Sequence, residues 1–152
     1  MTEEEKGPRL GYIYNHCNDV EAMREFYTGL LGLKEKGFHS DEQWGYLCYA
    51  TGGLELMFFR TAERIPVQEQ WAVQPGWDGG TFEGTSWSVL IPGGEFAEVV
   101  RRLLDAGVKA FAPKPMWLQD CYWGFPVMDP MGNTVEVYAT PKERPEHTEW
   151  RD

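Results

Sequence analysis

Residues 30–38 read LLGLKEKGF, and residues 103–111 read LLDAGVKAF. In each stretch two leucines close an apolar helical stripe, a glycine follows, and an extended run begins. Glycine just past a helix is the usual stop, because it accepts the left-handed backbone that ends one. The same helix-to-strand passage is therefore written twice, and the surroundings of the two copies decide the fold.

Around the first copy, residues 10–16 (LGYIYNH) alternate like a strand. Asn18 and Asp19 offer an N-cap, and Val20, Met23, Phe26, Tyr27, Leu30 and Leu31 recur at helical spacing. Strand-like runs follow at 33–39, 44–50 and 54–60, with turns at Ser40-Asp41 and Gly52-Gly53. Around the second copy, a strand at 85–91 leads through Pro92-Gly93-Gly94 to a stripe of Phe96, Val99, Val100, Leu103 and Leu104. Runs at 108–111, 121–127 and 134–139 complete it, the last two joined by DPMGN at 129–133. Both halves read β-α-β-β-β. The repeat predicts one α+β domain over 1–152, made of a first module at 10–60 and a second at 84–139. Residues 61–83 are a linker or flap. Trp71 and Trp77 need burial or a ligand, which favours a flap. The charged tail, 140–152, is expected to fray or to lie on a neighbour.

Composition narrows the function. The 152 residues are 42% hydrophobic and 14% aromatic, enough for a sizeable core and too apolar for a disordered chain. Acidic side chains outnumber basic ones 24 to 14, a formal net charge of −10. Such a surface repels phosphate, so nucleic acid and anionic membrane are poor partners, whereas a neutral or cationic small molecule is not repelled. No apolar run reaches the length of a membrane span, and the acidic start MTEEEKGPRL differs from a secretory signal, so a cytoplasmic protein is expected. Cys17, Cys48 and Cys121 are an odd set without C-x-x-C spacing, which points to reduced thiols near the core. Neither a nucleophile elbow, a phosphate loop nor a dinucleotide fingerprint appears.

Side chains alternate across a strand, so each strand splits into two faces. Leu54, Leu56 and Phe58 oppose Glu55, Met57 and Phe59; Trp87, Val89 and Ile91 oppose Ser86, Ser88 and Leu90; Val135 and Val137 oppose Thr134, Glu136 and Tyr138. One set is apolar and belongs under the helices. The other mixes aromatic, carboxylate and hydroxyl groups, and Tyr12, Tyr14 and His16 join it while Ile13 faces the core. A few polar groups among many aromatics describe a small-molecule cavity better than a wet surface. Glu55 and Glu136 stand out. In a partly apolar cleft they suit general bases, or fixed anions for a cation; they also suit structural carboxylates bonded to backbone or tyrosine hydroxyls. Trp44, Tyr46, Tyr122 and Trp123 sit on middle strands, where about half can face a ligand by alternation.

REFYTGLLGL at 24–33 and WGFPVMDPMGNTVEVY at 123–138, within paired βαβββ modules, make residues 10–139 resemble the vicinal-oxygen-chelate superfamily of glyoxalases, bleomycin-resistance proteins and extradiol dioxygenases. The resemblance implies an incomplete eight-stranded barrel around a U-shaped cleft, and commonly a homodimer. In metal-using members the first and last strands of each module supply the ligands. Those positions fall here at Tyr12, Glu55, Ser86 and Glu136, two carboxylates without either imidazole. A phenol and a hydroxyl in place of histidines make a poor site for zinc, nickel or ferrous iron, so no cofactor is expected and a divalent metal is the minority case. The expected function is binding of a small cationic or aromatic molecule in an acidic, aromatic-lined cleft formed by Tyr12, Tyr14, His16, Glu55, Met57, Phe59, Ser86, Ser88, Trp123, Glu136 and Tyr138. The alternative is a lyase, isomerase or dioxygenase with Glu55 and Glu136 as catalytic bases or metal ligands. Whether the chain is an enzyme stays open at this point.

Overall fold

Asp19 opens the first helix: its carboxylate accepts a hydrogen bond from the Ala22 N–H at 3.0 Å, satisfying a donor that the helix start leaves orphaned. In this computed structural model, which describes residues 7–75 and 77–151, helix α1 runs as an α-helix over Val20–Arg24 and continues as a π-helical turn over Glu25–Leu30. The acidic run at 3–5 lies outside the described residues. The helical stripe of the sequence is present, but wound more widely than its period suggested. Leu31 N–H reaches back to the Phe26 carbonyl at 3.1 Å, and the widened turn buries Phe26, Tyr27 and Leu31 together.

The chain divides into two units, Met1–Ile65 and Pro66–Asp152. The first carries β1 (Tyr12–His16), α1, β2 (Glu35–Ser40), β3 (Gly45–Thr51) and β4 (Leu54–Arg60). Its sheet has the order β1-β4-β3-β2, with β1 parallel to β4 and the other pairs antiparallel. The second carries β5 (Ser86–Leu90), α2 (Phe96–Asp105), β6 (Met116–Leu118), β7 (Tyr122–Met128) and β8 (Thr134–Ala139). Its sheet repeats that order as β5-β8-β7-β6, again with one parallel pair. The two βαβββ modules are thus a repeat of topology as well as of sequence.

Each unit has its own core. Val20, Met23, Tyr27, Leu47, Tyr49 and Phe58 are buried in the first; Phe96, Val99, Val100, Leu103, Phe125, Val127, Val135 and Val137 are buried in the second. The helical stripes supply one side of these cores, and alternate residues of β4, β7 and β8 the other. Helix α2 closes with Val108 N–H bonded to the Leu103 carbonyl and Gly107 N–H to that of Leu104, the bond pair of a Schellman ending.

Three expectations are corrected. The run at 108–111 makes only one bridge, Ala110 to Val127, and the strand pairing with β7 is β6 instead. Pro113 and Pro115 interrupt the extended chain and have no N–H to give a ladder. Ile13, expected under the helix, is 40% exposed, because β1 is an edge strand of its sheet. The tail, expected to fray or to lie on a neighbour, lies on its own unit: Glu149 bridges Met116, and Trp150 packs edge-on against Phe96 and Trp123. Among the thiols, Cys17 and Cys48 are buried, Cys121 is exposed, and none forms a disulfide.

The DPMGN turn ties residues 66–83 to the second sheet. Asp129 is buried and accepts from Met131 N–H, Asn133 N–H and the Asn133 side chain at 2.8–3.0 Å. Gln68 N–H bonds the Met131 carbonyl, and a Cβ on Gly132 would stand 1.8 Å from the Gln68 carbonyl oxygen. Only glycine allows that approach at a φ of +77°. Ala72 N–H then bonds the buried Thr134 hydroxyl at 2.9 Å, and Ala72 and Thr81 form a parallel bridge, in which Thr81 N–H bonds the Trp71 carbonyl and Val73 N–H that of Thr81. The segment lies as a strap on the second unit.

Candidate functional site

On the mixed face of the second sheet, Glu136 pairs in register with Ser88 on β5 and Pro126 on β7. Its neighbours on β7 that share this face are Tyr122 and Gly124. Gly124 has a steric role: a Cβ there would lie 3.2 Å from Glu136 Oε1 and 2.7 Å from Leu118 Cδ1. The missing side chain leaves room for the carboxylate. Tyr122 donates its hydroxyl to Glu136, and burial together with that bond pushes its phenol well above the usual tyrosine range.

The strap roofs this face. Gln74, buried, donates from its side chain to the Ser86 hydroxyl, and its Oε1 has no partner. Trp77 stacks on Phe111 at 4.6 Å and 20°. Between strap and sheet lies a pocket of about 210 Å³, lined by the amide of Gln74 and the acid and phenol of Glu136 and Tyr122, with apolar walls from Trp77, Phe111, Met116 and Leu118. Among the described residues lining it there is no lysine, arginine or histidine. Glu136 therefore has no counter-charge in the pocket wall.

Glu55, the corresponding acid of the first unit, is placed differently. It pairs in register with Tyr12, and Lys36 donates to its Oε1. That ammonium, followed by the Tyr12 hydroxyl, holds the Glu55 carboxyl below its ordinary value. Bonding to Glu55 raises Tyr12 and Lys36 in turn. Both acids thus meet a tyrosine hydroxyl, but only Glu55 is neutralised by a lysine.

The remaining expected residues fall into separate groups. Tyr12 and Tyr14 stack at 5.7 Å and are exposed. His16 stands edge-on to Phe59 at 5.2 Å and lies 3.2 Å from the Thr61 hydroxyl; Met57 faces Tyr14 and Cys48 in register. On the second unit Ser86 touches Gln74, Ser88 is exposed, and Tyr138 meets Tyr122 edge-on at 5.6 Å. Trp123, expected among the cleft residues, packs between Trp117 and Trp150 and does not line the Glu136 pocket, whereas its neighbour Tyr122 does. Sequence reasoning did not name Gln74, Phe111, Met116, Leu118 or Gly124. The signal for Gly124 was present, since it alternates with Tyr122 and Pro126 opposite the buried Phe125. No signal pointed to Gln74, because a strap without periodicity does not show which side chains turn inward.

The repeated βαβββ modules, each a four-stranded mixed sheet with its own helix, define a class of paired-module α+β proteins. A family model described as the Glyoxalase/Bleomycin resistance protein/Dioxygenase superfamily matches residues 9–137, and the chain belongs to that superfamily. No curated protein matches. Among solved structures, the chain is similar to a glyoxalase/dioxygenase from Nostoc punctiforme, with 18% identity, TM-score 0.63, and coverage of 93% of this chain and 97% of that one. It is also similar to oxidase ChaP-H2, with 16% identity, TM-score 0.63 and coverage of 88% and 94%. A third likeness is to lactoylglutathione lyase from Agrobacterium tumefaciens, with 18% identity, TM-score 0.57 and coverage of 88% and 95%. At these identities the likeness is one of fold.

Proteins of this superfamily often hold a metal, and the residues here do not fit one. Among the described residues no three His, Cys, Asp or Glu side chains gather into a group that could hold an ion. Of the four ligand positions, Glu55 is paired with Lys36, Ser86 with Gln74, and Tyr12 brings a raised phenol instead of an imidazole. Glu136 remains as a single strong donor, too few for tight transition-metal binding. No helix among the described residues is long and apolar enough to cross a membrane.

Proposed function

We propose that the chain binds a small planar cation in the pocket over Glu136 and sequesters it without metal chemistry. One observation carries the reading: a carboxylate lies at the base of an aromatic-roofed pocket whose described lining offers no basic partner. An unneutralised acid in a partly apolar cavity gains most from a ligand that brings the missing charge, and its hydrogen bonds to a cation are charge-assisted. The stacked Trp77 and Phe111 rings favour a flat group, through stacking and cation–π attraction. Gly124 supports the same reading, because it keeps the carboxylate accessible within the sheet.

The test compares benzamidine with benzamide, a cation and a neutral molecule of nearly the same shape, by isothermal titration calorimetry. Benzamidine is expected to bind more tightly, and Glu136→Gln to weaken it about tenfold or more while changing benzamide little. Equal affinities for the two probes, or equal losses in the variant, would remove Glu136 from ligand recognition.

A further inference from the structure

We propose that a second cavity of the same unit, on the outer side of the Trp77–Phe111 pair, is a binding site for a methylated ammonium group. This cavity measures about 350 Å³ and is bounded by residues 69–71, 77–80 and Phe111. Its walls form an aromatic corner. Trp77 and Phe111 lie nearly parallel, whereas Trp71 meets Phe111 edge-on at 5.6 Å and 84°. A compact cation in such a corner meets ring surfaces from two directions, and each ring face attracts positive charge within about 6 Å of its centroid.

The charges on the rim agree. Glu69 and Asp78 both line the cavity and are exposed, and neither has an ion-pair partner among the described residues. An anionic ligand would be repelled by both. Beside the cavity, outside its lining, Lys109 Nζ lies 5.7 Å from the Trp71 ring centroid and donates to the Glu69 carbonyl at 3.1 Å, so the Trp71 ring already meets one ammonium. A methylated ammonium suits this aromatic cavity better than a primary one. It keeps the charge, holds its water less tightly, and turns methyl groups toward the rings.

This site does not depend on the role given to Glu136. The two cavities share Trp77 and Phe111, but Glu136 lines only the inner one, and Glu69 and Asp78 only the outer. The carboxylates therefore separate the two sites by experiment.

The full chain is titrated with tetramethylammonium chloride, and with tert-butanol as an uncharged probe of similar size, while the indole N–H resonances of Trp71 and Trp77 are followed by NMR. Tetramethylammonium is expected to shift both resonances saturably. The double substitution Glu69→Gln and Asp78→Asn should weaken it about fivefold, and Trp71→Leu about 2- to 30-fold, the range a cation–π contact spans. Glu136→Gln should leave it unchanged. The surface acid pair tests the site even if Trp71→Leu fails to fold. The proposal is overturned by the absence of a saturable shift, by equal binding of tert-butanol, or by loss of binding in Glu136→Gln with the acid pair inert.

Discussion

Asp41 holds the turn between β2 and β3 with one carboxylate, which accepts from the Trp44 N–H at 3.0 Å, the Gln43 N–H at 2.8 Å and His39 Nε2 at 2.8 Å. Those bonds, the Trp44 N–H first, lower its carboxyl from 3.8 to about 2. Folding thus favours the ionised form. The stabilisation is complete above the unfolded value of 3.8 and is lost as pH falls through about 2. Asp41→Asn keeps an acceptor but does not titrate. Its melting temperature is expected to lie below that of the parent at neutral pH, the gap closing as the buffer is acidified past that range. A gap independent of pH would show that the charge plays no part. At this scale alternation along β8 was enough to put Glu136 on the mixed face. The different surroundings of Glu55 and Glu136 were not legible, because Lys36 reaches Glu55 from another strand and Gln74 enters the Glu136 pocket from the strap, each far away along the chain.

The elements most exposed to error were those without their own periodicity. β6 has three residues and follows two prolines, so its pairing with β7 comes from tertiary contact and not from local propensity. The tail supports it: Glu149 bridges Met116, Lys114 bonds Glu149 at 2.7 Å, and Trp150 leans on Phe96 and Trp123. Because Met116 and Leu118 of β6 line the Glu136 pocket, the tail buttresses one wall of that pocket. Trp150→Ala is expected to lower unfolding stability by about 1–3 kcal/mol, less than a fully buried ring because Trp150 is partly exposed. Urea denaturation measures the loss, and benzamidine titration the accompanying fall in affinity. Unchanged values in both would leave the tail without a structural role.

Over the whole molecule, the net charge of −10 surrounds any binding site with a field that gathers cations. Raising sodium chloride from about 20 mM to about 500 mM shortens the screening length from roughly 20 Å to about 4 Å. Benzamidine affinity is expected to fall severalfold over that range while benzamide affinity stays constant. Calorimetry at the two salt concentrations decides it, and parallel behaviour of both probes would argue against electrostatic recognition.

By itself the sequence determined the paired βαβββ topology, the two helical stripes and their glycine stops, and the strand faces that bury Phe58, Val135 and Val137. Those features follow from period, capping and alternation, which act over a few neighbouring residues. Tertiary structure alone decided that Glu55 carries a lysine while Glu136 does not, that Gly124 makes way for a carboxylate, and that a strap closes over one sheet with Trp77 on Phe111. A counter-charge, a steric gap and a ring stack each need two segments to meet in space, and no local pattern records where a chain will cross itself.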